Sequence, residues 1–350
     1  MTQSLTLADI IAAIIMIALT AYALLAGADF GGGVWDLLAS GPTRDAQRKQ
    51  ITEAIGPIWE ANHVWLIIAV VMLFTCFPAA FAELAIALHI PLSLVLIGIV
   101  LRGSAFAFRS YGHHDSAGEA FWGRVFAGSS LITPILLGVT VGAIASGRVR
   151  FPLVGASFAE NYIQPWATPF GLAVGLLALA LFAFLAAVYL TVEAAGQRPL
   201  QEAFRARALA AAAAAVVIAG LALLIARAQA PYVGAGLTTT TWALVLHIAT
   251  GCAAIAAISA LILRRYPVAR LAAAAQVAGV LWGWGLAQYP FMIPPSLSID
   301  AAAAPRETLR LVLIALIVGA AVLFPSLFYL FRVFKGSLLD DSVPGSPGSS

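Results

Sequence analysis

Long apolar runs separated by short polar links make up nearly the whole chain. They lie at 8–27, 57–80, 84–105, 121–145, 166–192, 207–228, 241–263, 268–290 and 308–331. An α-helix needs roughly 20 apolar residues to cross about 30 Å of hydrocarbon. The pattern therefore predicts an all-α integral membrane protein with nine transmembrane helices, since helices satisfy their own backbone hydrogen bonds in lipid. Pro91, Pro134, Pro169 and Pro325 fall inside runs and predict kinks. The first run is preceded by no Lys or Arg and outlasts the apolar core of a signal peptide, so it is read as a retained span.

Composition agrees with the pattern and narrows the function classes. Of 350 residues, 62% are hydrophobic and only 10% charged, against about 25% charged in a soluble domain. The net charge of +3 is small and its basic residues are scattered, which argues against nucleic acid as a partner. Cys76 and Cys252 lie inside apolar runs without a CxxC spacing and read as small core residues.

Charge asymmetry orients the nine spans. Arg148, Arg150, Arg227, Arg306 and Arg310 fall on one side, and the remaining 14 of the 19 Lys and Arg on the other. The rich side is cytoplasmic by the positive-inside rule, which places the N-terminus outside and the C-terminus inside. Residues 1–335 thus form one membrane domain, and the polar Pro/Gly/Ser-rich stretch 336–350 reads as a short disordered tail. A faint repeat is present. Ala87-Leu-His-Ile90 recurs as Val245-Leu-His-Ile248, and the first and fifth spans close on Asp29 and Glu193. Two four-helix bundles plus one peripheral helix follow from it.

Ionisable groups are expensive in lipid, so their positions carry information. The densest cluster joins the end of the first span, Gly27-Ala-Asp-Phe-Gly-Gly-Gly33, to the start of the second, Pro57-Ile-Trp-Glu-Ala-Asn-His-Val-Trp65. Both ends face the same side, which makes Asp29 and Glu60 potential neighbours. Glu60 and His63 share a helix face, and Trp59 and Trp65 sit at interface depth. Two carboxylates and an imidazole suit a proton relay or ion port. The competing reading is an interfacial helix end with an acid at the positive dipole. The glycine run lacks the strand and the Lys-Ser/Thr ending of a phosphate loop, and reads as close packing or a sharp exit turn. His89 and His247 lie about six residues into their spans from the outer face. Two opposed imidazoles there would suit haem ligation, against the more ordinary reading of hydrogen-bonded core histidines. His113 and His114 belong to a solvated cytoplasmic loop.

In order along residues 8–335, these segments resemble subunit II of the cytochrome bd-type quinol oxidases. The resemblance rests on Gly27-Ala-Asp-Phe-Gly31, Ala54-Ile-Gly-Pro-Ile-Trp-Glu-Ala-Asn-His-Val-Trp-Leu66, Phe77-Pro78, Leu101-Arg-Gly-Ser-Ala-Phe-Ala-Phe-Arg109 and Tyr289-Pro-Phe-Met-Ile-Pro-Pro-Ser296. It implies a heterodimer in a bacterial inner membrane with a haem-bearing subunit I, which carries two haems b, one haem d and the quinol site. The complex oxidises quinol, reduces dioxygen to water and builds proton motive force without pumping. Small accessory subunits belong to some such assemblies. This chain would hold no haem and at most a structural quinone. The resemblance also implies a cytoplasmic proton path through Asp29 and Glu60, with Asn62, Arg102 and Arg109 structural or channel-lining. Departures occur at Ala26 and Ala107, where the family carries acids, and at Ala61 and His63, where it carries Gly and Gln or Glu. Two expected acids are absent and one extra titratable histidine appears. The alternatives are a secondary transporter or ion carrier using the Asp29/Glu60 cluster, and a haem carrier using His89 and His247.

Overall fold

A computed structural model describes residues 5–55, 59–111 and 116–340. Among these the chain is almost wholly helical, with one small hairpin. The helices are α1 (Leu7–Leu37), α2 (Arg44–Ile55), α3 (Trp59–Cys76), α4 (Pro78–Ala87), α5 (His89–Tyr111), α6 (Ser116–Ala145) and α7 (Phe158–Tyr162). They continue as α8 (Pro169–Glu193), α9 (Arg198–Gln229), α10 (Pro231–Thr239), α11 (Thr241–Ile262) and α12 (Tyr266–Gln288). The strands β1 (Phe291–Ile293) and β2 (Leu297–Ser298) follow, then α13 (Ile299–Ala302) and α14 (Arg306–Asp340). Six helices, α1, α5, α6, α8, α9 and α11, are long and apolar enough to cross a membrane. The pair α3–α4 adds a seventh if taken as one bent span. The interior of α12 is rich in Ala, Gly and Trp and includes Gln276, which leaves it less apolar than these.

Local chemistry sets the helix ends. Thr6 caps α1 in a reciprocal box with Asp9, each side chain bonding the other's backbone N–H. Thr168 caps α8 ahead of Pro169, whose missing N–H costs nothing in a first turn. Pro78 does the same for α4, which leaves α3 at a bend of 115°. The segment around Pro78 is therefore a helix in its own right, where the sequence suggested a short link, and the following span begins at His89 rather than at 84.

The first helix also departs from expectation. It does not close on Asp29 but continues to Leu37, eight residues further, and Gly31, Gly32 and Gly33 are helical and buried. The sharp turn falls instead at Gly41, with φ +76°. Glycine persists in α1 because α8 lies against it. A Cβ on Gly31 would collide with the carbonyl oxygen of Phe182 and come within 2.7 Å of the Ala186 Cβ. The α6/α8 contact uses the same device twice, as Gly138 meets Gly175 and Gly142 meets Gly171. Both helices thus present glycines four residues apart, and their backbones approach closely enough for dispersion to hold them where lipid supplies no hydrophobic drive. In consequence α8 is the most enclosed of the six long apolar helices, with 67% of its apolar window buried against 17% for α11. Glu193 is the last residue of α8, so Asp29 and Glu193 do not occupy equivalent places in the suggested repeat.

Gly31→Ala should force α1 from α8 and destabilise the protein by ~1–3 kcal/mol. Gly123→Ala, in open space on α6, should stay within about 0.5 kcal/mol of wild type. Thermal unfolding of the two purified variants measures the difference.

Candidate functional site

Tyr22, Asp29 and Asp36 stand seven residues apart on α1 and are 4%, 2% and 3% exposed. This spacing keeps all three on one face of the helix, and each meets a different set of partners. Asn62 of α3 donates through Nδ2 to Asp29 Oδ2 at 2.6 Å. The backbone carbonyl of Asp29 accepts from Arg102 of α5 at 2.8 Å, and Arg102 Nε donates to Ser130 Oγ at 3.2 Å. The Arg102 guanidinium lies over two rings, 4.9 Å from the Phe30 centroid and 5.1 Å from that of Phe126. Expected at the membrane edge, this arginine is 2% exposed inside the bundle. Its hydrogen bonds and ring contacts offset the desolvation that an unpaired buried cation would suffer.

One heptad towards the C-terminus, Asp36 takes Arg109 of α5 in a forked pair, with N–O distances of 3.1 and 3.5 Å. Arg48 of α2 adds a longer contact to Asp36 at 3.8 Å. Arg102 and Arg109 are themselves seven residues apart, so α1 and α5 form a ladder of two rungs. Phe126 lies beneath both guanidiniums. A cavity of about 100 Å³ adjoins the lower rung, lined by Asp36, Thr52, Arg109 and apolar neighbours. Asp36 lies beyond the first apolar run, and its seven-residue offset from Asp29 is the one sequence signal that links it to this face.

His63 follows Asn62 on α3 and packs between Tyr22 and Phe30, with ring centroids 5.8 and 6.4 Å away. Its Nδ1 and the Tyr22 hydroxyl are buried without a hydrogen-bond partner among the described residues. Trp65 is half-buried against the surrounding apolar clusters. Trp59 and Glu60 open α3, and their side chains lie outside the described residues, as do His113 and His114. The structure does not bring His89 and His247 together. His89 is the first residue of α5 and packs on Tyr162 of α7, with Nδ1 3.0 Å from the Ile86 carbonyl. His247 is the seventh residue of α11, and its Nε2 lies 2.8 Å from the Leu237 carbonyl on α10. His89 opens its helix because α4 takes up the residues that the sequence assigned to the start of the third span.

A second, larger cavity of about 480 Å³ lies among α1, α6, α8, α9, α11 and α12. Its wall is overwhelmingly apolar. Tyr22, His247, Thr250 and Trp284 bring the few polar atoms, and Trp284 Nε1 is buried without a partner. Among the described residues no group of three or more His, Cys, Asp or Glu is placed to hold a metal ion.

A multi-pass helical membrane protein that buries a carboxyl held by an amide, an arginine on a backbone carbonyl and a carboxylate–arginine pair is built to manage charge inside lipid. The chain belongs to the cytochrome bd terminal oxidase subunit II family, whose model matches residues 7–334. It is 31% identical over 154 residues to the cytochrome bd ubiquinol oxidase subunit 2 of Bacillus subtilis, covering 44% of this chain and 45% of that one. A putative cytochrome bd menaquinol oxidase subunit II from the same organism is 24% identical over 89% of this chain and 91% of its own length. The Escherichia coli cytochrome bd-I ubiquinol oxidase subunit 2 is 28% identical over 52% of this chain and 48% of that protein. Two of these three alignments thus span less than half of the curated relative. In the structure of bd oxidase from Geobacillus thermodenitrificans, one chain shares the fold with a TM-score of 0.77 at 24% identity. That match covers 94% of this chain and 99% of the other.

Asp36→Ala should destabilise the protein by roughly 1–3 kcal/mol. This is less than the ~3–5 kcal/mol of a fully buried pair, because the Arg109 side chain keeps 24% exposure. Adding Arg109→Leu should recover part of the loss, which a double-mutant cycle in thermal unfolding would measure.

Proposed function

We propose that this chain is the second subunit of a bd-type terminal quinol oxidase and supplies a proton-uptake path from the cytoplasm. Its partner is a haem-bearing subunit I with two haems b and one haem d, in a bacterial inner membrane. That subunit oxidises quinol and reduces dioxygen to water, and proton motive force builds without pumping. Small accessory subunits fit this assembly. The observation that carries the reading is Asp29, a carboxyl 2% exposed inside a helix apolar enough to cross the membrane, held by Asn62 in a chain of this family. A carboxyl is kept in such a place against its desolvation cost when its ionisation is used.

In this reading nine helices, α1, α3, α5, α6, α8, α9, α11, α12 and α14, cross the membrane, each at least 18 residues long. The N-terminus faces outward and residues 1–335 form one domain of two four-helix bundles and a peripheral helix. Glu60 at the start of α3 collects protons at the cytoplasmic mouth, and Asp29 and His63 pass them inward. Arg102, bonded to the Asp29 carbonyl, keeps α1 and α5 at fixed spacing and sets the local field. Arg109 fixes the lower end of α1 through Asp36.

The larger cavity has the chemistry of a quinone site. Its wall is apolar, and two buried donors without partners, the Tyr22 hydroxyl and Trp284 Nε1, would suit quinone carbonyls. A quinone held there would be structural and would supply a redox-active ring within the bundle.

Glu60→Gln and Asp29→Asn should each slow oxygen reduction by the assembled complex roughly tenfold or more, with haem content unchanged. Oxygen-electrode turnover beside haem spectra of the purified complex tests this. Wild-type turnover in both variants would remove the path from this subunit.

A further inference from the structure

The loop joining α6 to α8 carries apolar side chains in the open. Phe151 and Leu153 are half-exposed, Phe158 more so, and Val154 fully. Hydrogen bonds hold them there. Asn161 forks onto Leu153, accepting from its backbone N–H at 2.9 Å and donating to its carbonyl at 3.2 Å. Ser157 and Glu160 close a capping box at the start of α7. Between these anchors a turn from Leu153 to Ala156 puts Val154 at its second position and Gly155 at its third, where φ +85° favours glycine. Grouped apolar side chains on a fixed loop mark an interaction surface.

The place of this loop in the fold selects its partner. Phe158 packs on Tyr162, and Tyr162 on His89, the first residue of α5, with ring centroids 5.1 and 5.0 Å apart. An exposed stripe then continues along α5 through Leu92, Leu96 and Val100, which share one face by their spacing. Another face of α5 carries Arg102 to the Asp29 carbonyl. In the reading above, protons gathered at Asp29 and His63 leave this chain for haems in subunit I, which places that subunit against α3 and α5. A lipid surface fits less well, because the exposed Glu160 stands two residues from Phe158. The loop also supplies what membrane helices lack. Apolar contacts gain no hydrophobic drive in lipid, whereas those made in water at the outer ends do.

We propose that residues 151–158 form a docking finger that seats Val154 and Phe158 in an apolar, polar-rimmed hollow on the outer surface of the haem-bearing subunit. The exposed stripe of α5 continues the same contact into the membrane. The inference rests on the two-subunit reading of the function.

The test uses the assembled complex in phospholipid nanodiscs. The photoreactive residue benzoylphenylalanine replaces Val154, or replaces Leu221 on α9 as a control that is also exposed. Illumination should join this chain to the haem-bearing subunit from position 154 and not from position 221. Val154→Asp combined with Phe158→Asp should raise the share of this chain recovered without haem several-fold in detergent. Adducts of position 154 with phospholipid alone, with a second copy of this chain, or with nothing would each overturn the finger, as would unchanged haem recovery in the double variant. If the double variant fails to accumulate, the photo-adducts alone decide. A haem protein that co-purifies without being joined at position 154 sinks the finger and leaves the two-subunit reading standing. A wild-type chain that purifies with no haem protein sinks that reading, and the finger's partner with it.

Discussion

A guanidinium buried in the middle of a lipid-facing bundle constrains everything around it. Arg102 must find hydrogen-bond acceptors and polarisable faces inside the protein, because the membrane offers neither. It finds the Asp29 carbonyl on α1, Ser130 on α6, and the rings of Phe30 and Phe126. Three helices are thereby fixed around one side chain. The Asp29 carboxyl is placed beside a permanent cation, and Asn62 of α3 completes its surroundings. Moving any of these helices by an ångström or two would strand a charge, so the packing that surrounds them has to be stiff.

That stiffness comes from small residues. Gly31 admits the Phe182 carbonyl, while Gly138 and Gly142 admit Gly175 and Gly171, so that α8 is wedged between α1 and α6. Outside the membrane bundle, α2 ties the lower end together. Arg207 of α9 donates to Gln47 of α2 and to the Leu38 carbonyl, and lies over the Trp35 ring. The same region encloses the small cavity next to Asp36, so the helix that clamps the fold also roofs the lower rung of the ladder.

Much of this was legible in the sequence because lipid makes apolar length and buried charge conspicuous. Six of the nine apolar stretches coincide with helices long and apolar enough to cross a membrane, and a seventh with the bent pair α3–α4. Asp29 and His63 stand out as ionisable groups among apolar neighbours, whereas Asn62, Arg102 and Arg109 enter through the family resemblance. The end of α1 was not legible. Glycine and aspartate normally punctuate helices, and here they continue one because residues about 150 positions away fill the space that a Cβ would need. The separate helix α4 was hidden for a related reason, since Pro78 reads as a break until it is seen at a first turn. With that helix in place, His89 packs on α7 and His247 on α10, each with its own partner. Tyr22 and Asp36 are not legible in the sequence, because one passes for an ordinary aromatic in a span and the other falls beyond the end of the first apolar run.

The seven-residue spacing of Tyr22, Asp29 and Asp36 carries a geometric consequence. Seven residues fall slightly short of two full turns, and a straight helix drifts by about 20° per heptad. Over two heptads the polar stripe therefore precesses by roughly 40° around α1. Its upper member meets α3 through His63, its middle member meets both α3 and α5, and its lower member meets α5 and α2. The stripe is handed from one neighbouring helix to the next within the single helix α1. Phase along a single helix, rather than a kink or a loop, decides which partner each polar group addresses.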